Sequence, residues 1–313
     1  MPKRILVTGG AGFIGSHLCR KLLETGADVI AVDNLCTGRE GNLADLKENP
    51  RFTFIKADIL DPIELPGPLH RIYNLACPAS PVGYQRLPLE TLYVGSVGVS
   101  NILELALKNK ARFLQTSTSE IYGDPLEHPQ KETYWGNVNC VGPRACYDES
   151  KRFAESLIIN FAKVHGLNAK IVRLFNTYGP QMDLDDGRVI VNFLKQALSG
   201  ESLTVHGDGS QTRSPCYVSD LVSGLILMME SGEAGPVNLG NPEELTIIDL
   251  AKMIKKITGS KSEIIFLPLP KDDPTRRRPD ITLAKQRLGW SPRIGLEEGL
   301  RLTIPYIVGK LKS

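Results

Sequence analysis

The stretch Ile5-Leu6-Val7-Thr8-Gly9-Gly10-Ala11-Gly12-Phe13-Ile14-Gly15 constrains this chain more than any other. Three apolar residues read as a buried parallel strand, and the glycines then open a helix with Ile14, Leu18, Leu22 and Leu23 on one face. Gly9, Gly12 and Gly15 suit a tight turn, a close backbone approach to a pyrophosphate, and close helix–strand packing. The helix N-terminus offers free N–H groups and a partial positive charge to such a ligand. A glycine pattern alone is a weak signal. Here it meets Asp33 at the end of the next predicted strand, Asp28–Asp33, near the roughly 20-residue spacing of a ribose-binding carboxylate. The bland alternative is a glycine turn between packed elements.

Further short apolar runs predict strands over residues 52–57, 71–76, 111–117 and 169–174, with helices over 89–108 and 147–165 between them. Strands alternating with helices imply α/β architecture: a doubly wound parallel sheet of the Rossmann type, covered on both faces. Residues 120–146 break the rhythm, being long, polar and rich in Gly, Pro and Asn. Such loops beyond the carboxyl ends of parallel strands are where these sheets bind ligands. From about Gly179 the alternation loosens. Helices are predicted over 189–198, 219–230 and 246–258, the last capped by Thr246 and stopped by Gly259. Strands are expected at 203–205 and 263–267, and short helices near 284–288 and 296–307. The expected division is a dinucleotide-binding domain over 1–178, with 215–241 packing back onto it, and a smaller α/β substrate domain over 179–313.

At 313 residues the chain can bury a sizeable core, and 37 basic against 35 acidic residues leave a net charge of +2. That balance gives no footprint for nucleic acid or an anionic membrane. No apolar run approaches the roughly 20 residues that span a bilayer. The buried strand begins directly after Met1-Pro2-Lys3-Arg4, so no leader is expected. Six scattered cysteines without a C-x-x-C pair read as reduced thiols of a cytoplasmic protein, and five histidines lack ligand spacing, so no metal is expected.

Two constellations carry chemistry. Tyr147 and Lys151 stand four apart at the start of a predicted helix and share a face, where the lysine charge would lower the tyrosine pKa and make it a usable acid/base. A surface pair is the bland reading. Thr116-Ser117-Thr118-Ser119-Glu120 ends a predicted strand, so its hydroxyls and carboxylate face the same crevice. Thr118 could hydrogen-bond a sugar hydroxyl, and Glu120 is an acid/base candidate. A capping cluster is the alternative.

The glycine turn, Thr118 and the Tyr147/Lys151 pair together resemble the extended short-chain dehydrogenase/reductase superfamily. More closely, Cys77-Pro78-Ala79-Ser80-Pro81, the run 116–123, Gly123-Asp124-Pro125-Leu126-Glu127-His128-Pro129-Gln130 and Asp185-Asp186-Gly187-Arg188 resemble the UDP-glucuronate decarboxylases, from Ile5 to about Trp290. The resemblance implies bound NAD held by Gly9, Gly12, Gly15, Asp33 and Asp58, with Phe13, Ile14, Asn34, Ile59, Leu75 and Ala76 around it. Tyr147 and Lys151 would stand at the nicotinamide ribose. It implies Thr118, Glu120 and Tyr147 as catalytic, with Lys151 and Arg277 beside them. UDP-glucuronate would be held by Asn176, Arg188, Arg213 and Tyr217, with Pro81 and Ser119, and Arg277 would meet its carboxylate. Arginine suits such work because its fixed fork grips phosphate or carboxylate with two bonds. Without the resemblance, Arg276-Arg277-Arg278 would read as a solvated charge run.

The activity implied is oxidation at C4, loss of the C6 carboxylate as CO2 and return of hydride, giving UDP-xylose. Homodimerisation through the two long helices is expected with it. A nucleotide-sugar 4-epimerase would share the turn and the Tyr/Lys pair but has no special use for Glu120. A 4,6-dehydratase would place an acid where Ser119 stands. A non-catalytic NAD sensor would not need the complete Thr118/Tyr147/Lys151 set. Two departures from the resemblance are Asn74, where histidine is frequent, and Cys140-Val141, where Pro-Ile is expected.

Overall fold

The alternating apolar strands assemble into one parallel sheet, in a computed structural model that describes residues 2–269 and 275–312. In chain order its first six strands are β1 (Arg4–Thr8), β2 (Asp28–Asp33), β3 (Phe52–Lys56), β4 (Arg71–Asn74), β5 (Arg112–Thr118) and β6 (Ala169–Leu174). A seventh, Val237–Leu239, pairs with the outer edge of β6, so the spatial order is Val237–Leu239, β6, β5, β4, β1, β2, β3, every pair parallel. The order reverses between β1 and β4, and a crevice opens there beyond their carboxyl ends. Side chains alternate across the sheet: Ile5 and Val7 enter one core and Leu6 the other. Helices Phe13–Glu24 and Val218–Glu230 cover the first face through Leu18, Leu22, Leu221 and Leu225. Helices Val99–Asn109 and Ala145–His165 cover the second through Ile102, Leu103 and Ile158.

The strand at 71–76 stops at Asn74, because Leu75 and Ala76 turn their N–H groups to Thr8 Oγ1 at 3.2 and 3.3 Å. The helix expected over 89–108 is broken. Pro88–Tyr93 gives way to a π-helical turn, Val94–Gly98, before Val99–Asn109. That turn lays Gly95 against the neighbouring long helix, where an added Cβ would sit 2.6 Å from Ser150 Cβ.

After β6 the chain builds a smaller set of elements. Helix Val189–Ser199 ends at Gly200 (φ 75°), and Leu203–His206 pairs in parallel with Ile264–Leu267. Helix Ile247–Thr258 begins with Thr246, whose Oγ1 accepts from Asp249 N at 3.1 Å, and ends at left-handed Gly259. A three-stranded sheet of two-residue strands was not legible from the sequence: Leu245–Thr246, Thr212–Arg213 and Arg276–Arg277. Its parallel pair sets Arg213 opposite Arg277. Among the described residues no helix is long and apolar enough to cross a membrane.

Candidate functional site

A cavity of about 800 Å³ runs along the crevice, from Asp33 at one end to Arg213 and Arg277 at the other. Its first wall is the glycine turn. Gly9 sits at φ 66°, and a Cβ there would fall 2.8 Å from Ala76 N; a Cβ on Gly15 would fall 2.0 Å from Gly9 O. Neither position admits a side chain, so turn, strand and helix close on one another. A Cβ on Gly12 would meet only Gly9 O, at 3.1 Å, so this face of the backbone is open to the cavity. No side chain caps helix Phe13–Glu24 and no acid stands in its first turn. Phe13, Ile14 and Gly15 therefore line the cavity with the positive end of the helix.

Asp33 holds its position through Ala11 N to Oδ2 (3.0 Å) and Leu35 N to Oδ1 (2.8 Å), and burial pushes its carboxyl up. Beside it, Asn34 Nδ2 donates to Asp58 Oδ2 at 2.7 Å. Ile59, Leu75 and Ala76 complete this end of the wall. Arg39, the cation nearest Asp33 in the chain, is drawn to Asp183 Oδ2, at 2.5 Å from Nη2 and 3.2 Å from Nε. An open glycine face, an uncapped helix N-terminus and two carboxylates fit a dinucleotide.

The centre of the cavity gathers Thr118, Glu120, Tyr147 and Lys151, as the sequence placed them. Lys151 Nζ donates to Thr116 O at 3.0 Å and stands 5.7 Å from the centre of the Tyr147 ring. The expected lowering of the Tyr147 pKa is not what this arrangement produces. Burial pushes the phenol up, Cys77 adds to the rise, and a hydrogen bond with Thr118 opposes it. Glu120 also differs from expectation. It does not stand free toward a ligand: Arg277 Nη1 grips Oε1 and Arg144 Nη2 grips Oε2. Burial alone would raise its carboxyl, but the two guanidiniums hold it down at about 2, so Glu120 is an ionised partner and no acid in this state.

Arg277 is no member of a solvated run. It is 3% exposed, spends Nη1 on Glu120 and Ser119 Oγ (3.4 Å), and donates from Nη2 to Gly123 O at 3.1 Å. Of the remaining expected ligands, Pro81, Asn176, Arg188 and Arg213 line the cavity. Arg188 is steadied by Asp186 (Nε to Oδ2 2.7 Å) and lies 6.0 Å over the Phe13 ring. Tyr217 does not line the cavity. Its ring packs edge-on against Tyr178, 5.6 Å between centres, and closes over Gly299.

Sequence reasoning missed two side chains. Tyr84 stacks on Tyr147, and Arg144 holds Glu120 from the helix N-cap. Ser80-Pro81 was a usable sign of the helix that carries Tyr84: Ser80 Oγ accepts from Gly83 N at 3.1 Å, with proline in the first turn. Nothing local marked Arg144.

Residues 6–303 match the family model described as GDP-mannose 4,6 dehydratase. UDP-glucuronic acid decarboxylase 1 of Arabidopsis thaliana is 54% identical over 297 residues, which is 95% of this chain and 68% of that protein. The chain belongs to the UDP-glucuronic acid decarboxylase family. Solved structures similar to this decarboxylase-family chain include a UDP-glucose 4-epimerase from Thermotoga maritima, with TM-score 0.91 and 35% identity over 98% of this chain and 99% of that one. A UDP-glucuronic acid 4-epimerase from Bacillus cereus, solved with UDP-glucuronic acid and NAD, has TM-score 0.87 and 30% identity over 98% and 99%. The departures noted in the sequence leave the site intact. Asn74 is buried, accepts from Thr8 Oγ1 and donates to Gln115 Oε1 at 2.7 Å. Cys140 and Val141 are on the surface.

Proposed function

We propose that this chain converts UDP-glucuronate to UDP-xylose and CO2 on a resident NAD. The observation that carries the reading is the Glu120 site, where one carboxylate is gripped by Arg144 and Arg277 beside Tyr147. Arg277, once released from Glu120, lies at the sugar end of the cavity and suits a substrate carboxylate. Arg213 stands opposite Arg277 on the adjoining strand and also lines the cavity. With Arg188 it suits a pyrophosphate. The curated decarboxylases at this level of identity support the same substrate.

NAD would lie along Gly9, Gly12, Gly15, Asp33 and Asp58, and when bound it supplies the hydride acceptor and donor for C4. With the positive charges of the bound cofactor and Lys151 favouring its ionised form against burial, Tyr147 would take the proton of the C4 hydroxyl as a phenolate, while Thr118 holds that oxygen. The resulting C4 ketone is β to the C6 carboxylate. The C5–C6 bond breaks, CO2 leaves, and the electron pair enters the ring carbon and ketone as an enolate. Tyr147 and Thr118 hydrogen-bond that oxyanion. Protonation at C5, reduction at C4 and return of the Tyr147 proton to O4 complete the pentose. Redox balance is zero, and one proton is consumed for each CO2.

Residues 1–178 with 215–241 are read as the cofactor unit, and 179–313 as the sugar-nucleotide unit. Leu89, Tyr93 and Val97 step by four residues and are exposed, as is Phe153 on the adjacent helix, which supports pairing with a second copy. All six cysteines are free, in keeping with the reducing cytoplasm.

The test is to incubate the purified protein with UDP-glucuronate and follow product by NMR. UDP-xylose with equimolar CO2 and no net NADH is expected. The likeness to solved epimerases favours one rival, a 4-epimerase, which would instead give UDP-galacturonate and no CO2.

A further inference from the structure

Arg277 cannot grip a sugar carboxylate with its full fork while it grips Glu120. Releasing Glu120 would leave a buried carboxylate bare unless another cation keeps it, and that cation is in place. Arg144 takes the other oxygen, Oε2, from the N-cap of the helix that carries Tyr147. Its guanidinium stands 6.0 Å from the centre of the Tyr84 ring, and Tyr84 in turn stacks on Tyr147. Arg144 is thus braced by the same aromatic pair that frames the proton-transfer group. The two arginines do different jobs because they come from different elements. Arg144 caps the N-terminus of a 21-residue helix, and Arg277 rides on a two-residue strand.

We propose that Arg144 is a positioning residue that retains the Glu120 carboxylate, so that Arg277 can exchange Glu120 for the carboxylate of a sugar-acid substrate. The proposal rests on the reading of the site given under Proposed function. The ionisable groups around Glu120 are Arg277 and Arg213 from the short sheet, Arg144, Tyr147 and Asp148 from the long helix, and Tyr84 from helix Pro81–Arg86. With Arg144 gone, the exchange would leave Glu120 beside Asp148 and two phenols with only the weaker pull of Arg213, and the cost would fall on acid ligands alone.

The experiment is a binding cycle by calorimetry on the NAD-loaded protein with UDP-glucuronate and UDP-glucose, the second being the same size without the carboxylate. Arg144→Met should weaken UDP-glucuronate about 10-fold or more and UDP-glucose less than about 3-fold, with Arg144→Lys restoring most of the loss. In the Glu120→Gln background, which has no carboxylate to retain, adding Arg144→Met should cost less than about 3-fold for either ligand. A selective loss that persists in that background would place Arg144 on the substrate itself and overturn the proposal. So would equal losses for both ligands, or none. CO2 release is measured separately. Normal binding cycles without CO2 would overturn the decarboxylase reading and leave the role of Arg144 standing.

Discussion

Tyr84 lies flat against Tyr147, their ring centres 5.1 Å apart and their planes 10° from parallel. Tyr84 is 1% exposed and its hydroxyl has no hydrogen-bond partner among the described residues, so it serves as a buried plate behind the reacting phenol. Tyr84→Phe should keep turnover and leave stability unchanged or raised, since it removes only an unsatisfied hydroxyl. Tyr84→Ala should cost about 3–5 kcal/mol by denaturant unfolding, because it opens a cavity beside Tyr147. A tolerated alanine would mean that the stack supports nothing.

Glu120→Gln keeps size and loses charge. It should bind UDP-glucuronate at least as well as the native protein, because Arg277 is released in advance. Its single-turnover CO2 release should be slower by about 100-fold or more, because the ionised carboxylate that Arg277 gives up to the substrate is then a base beside the sugar. The native carboxyl, held near 2 when folded and near its ordinary value of 4.5 when unfolded, stabilises the fold above about pH 4.5 and loses that contribution as pH falls toward 2. The glutamine variant should lack that part of the acid transition in a melting series.

Arg277→Ala should discriminate between ligands. Affinity for UDP-glucuronate should fall about 10-fold or more, and affinity for UDP-xylose, which lacks the carboxylate, much less. Equal losses in a titration would place Arg277 at the phosphates or in the loop scaffold through Gly123.

Asp148 is the opposite case to Glu120. It is 5% exposed, Oδ1 has no partner among the described residues, and burial with the nearby Glu120 charge pushes its carboxyl up to about 7, against the pull of Arg144 and Arg277. A raised acid binds its proton more tightly folded than unfolded, so stability falls as pH climbs from about 4 to 7. Asp148→Asn should raise Tm by about 2 °C or more at pH 8 and by little at pH 4. A gain that does not depend on pH would remove this assignment.

The readable parts of the sequence were those whose signal is local. Apolar runs marked the strands, and the glycine turn marked the crevice, because both follow from backbone geometry over a few residues. The four-residue step from Tyr147 to Lys151 marked a shared helix face for the same reason. What stayed hidden depends on contacts between distant segments. The π-turn at Val94–Gly98 exists because Gly95 meets Ser150, and no periodicity in 89–108 encodes that. Glu120 looked like a free acid because Arg144 and Arg277 reach it from separate elements. Tyr217, close in sequence to Arg213, was assigned to the ligand, yet its strand turns the ring into the core beside Tyr178.

The edge strand Val237–Leu239 sets the order in which the protein can be completed. On the ribosome, six strands are available before the seventh exists, and the seventh follows the segment bearing Arg188 and Arg213. Until then β6 presents an open row of backbone donors and acceptors. The crevice itself is finished later still, because Arg277 follows the seventh strand, and a chain cut short after β6 carries an unguarded sheet margin.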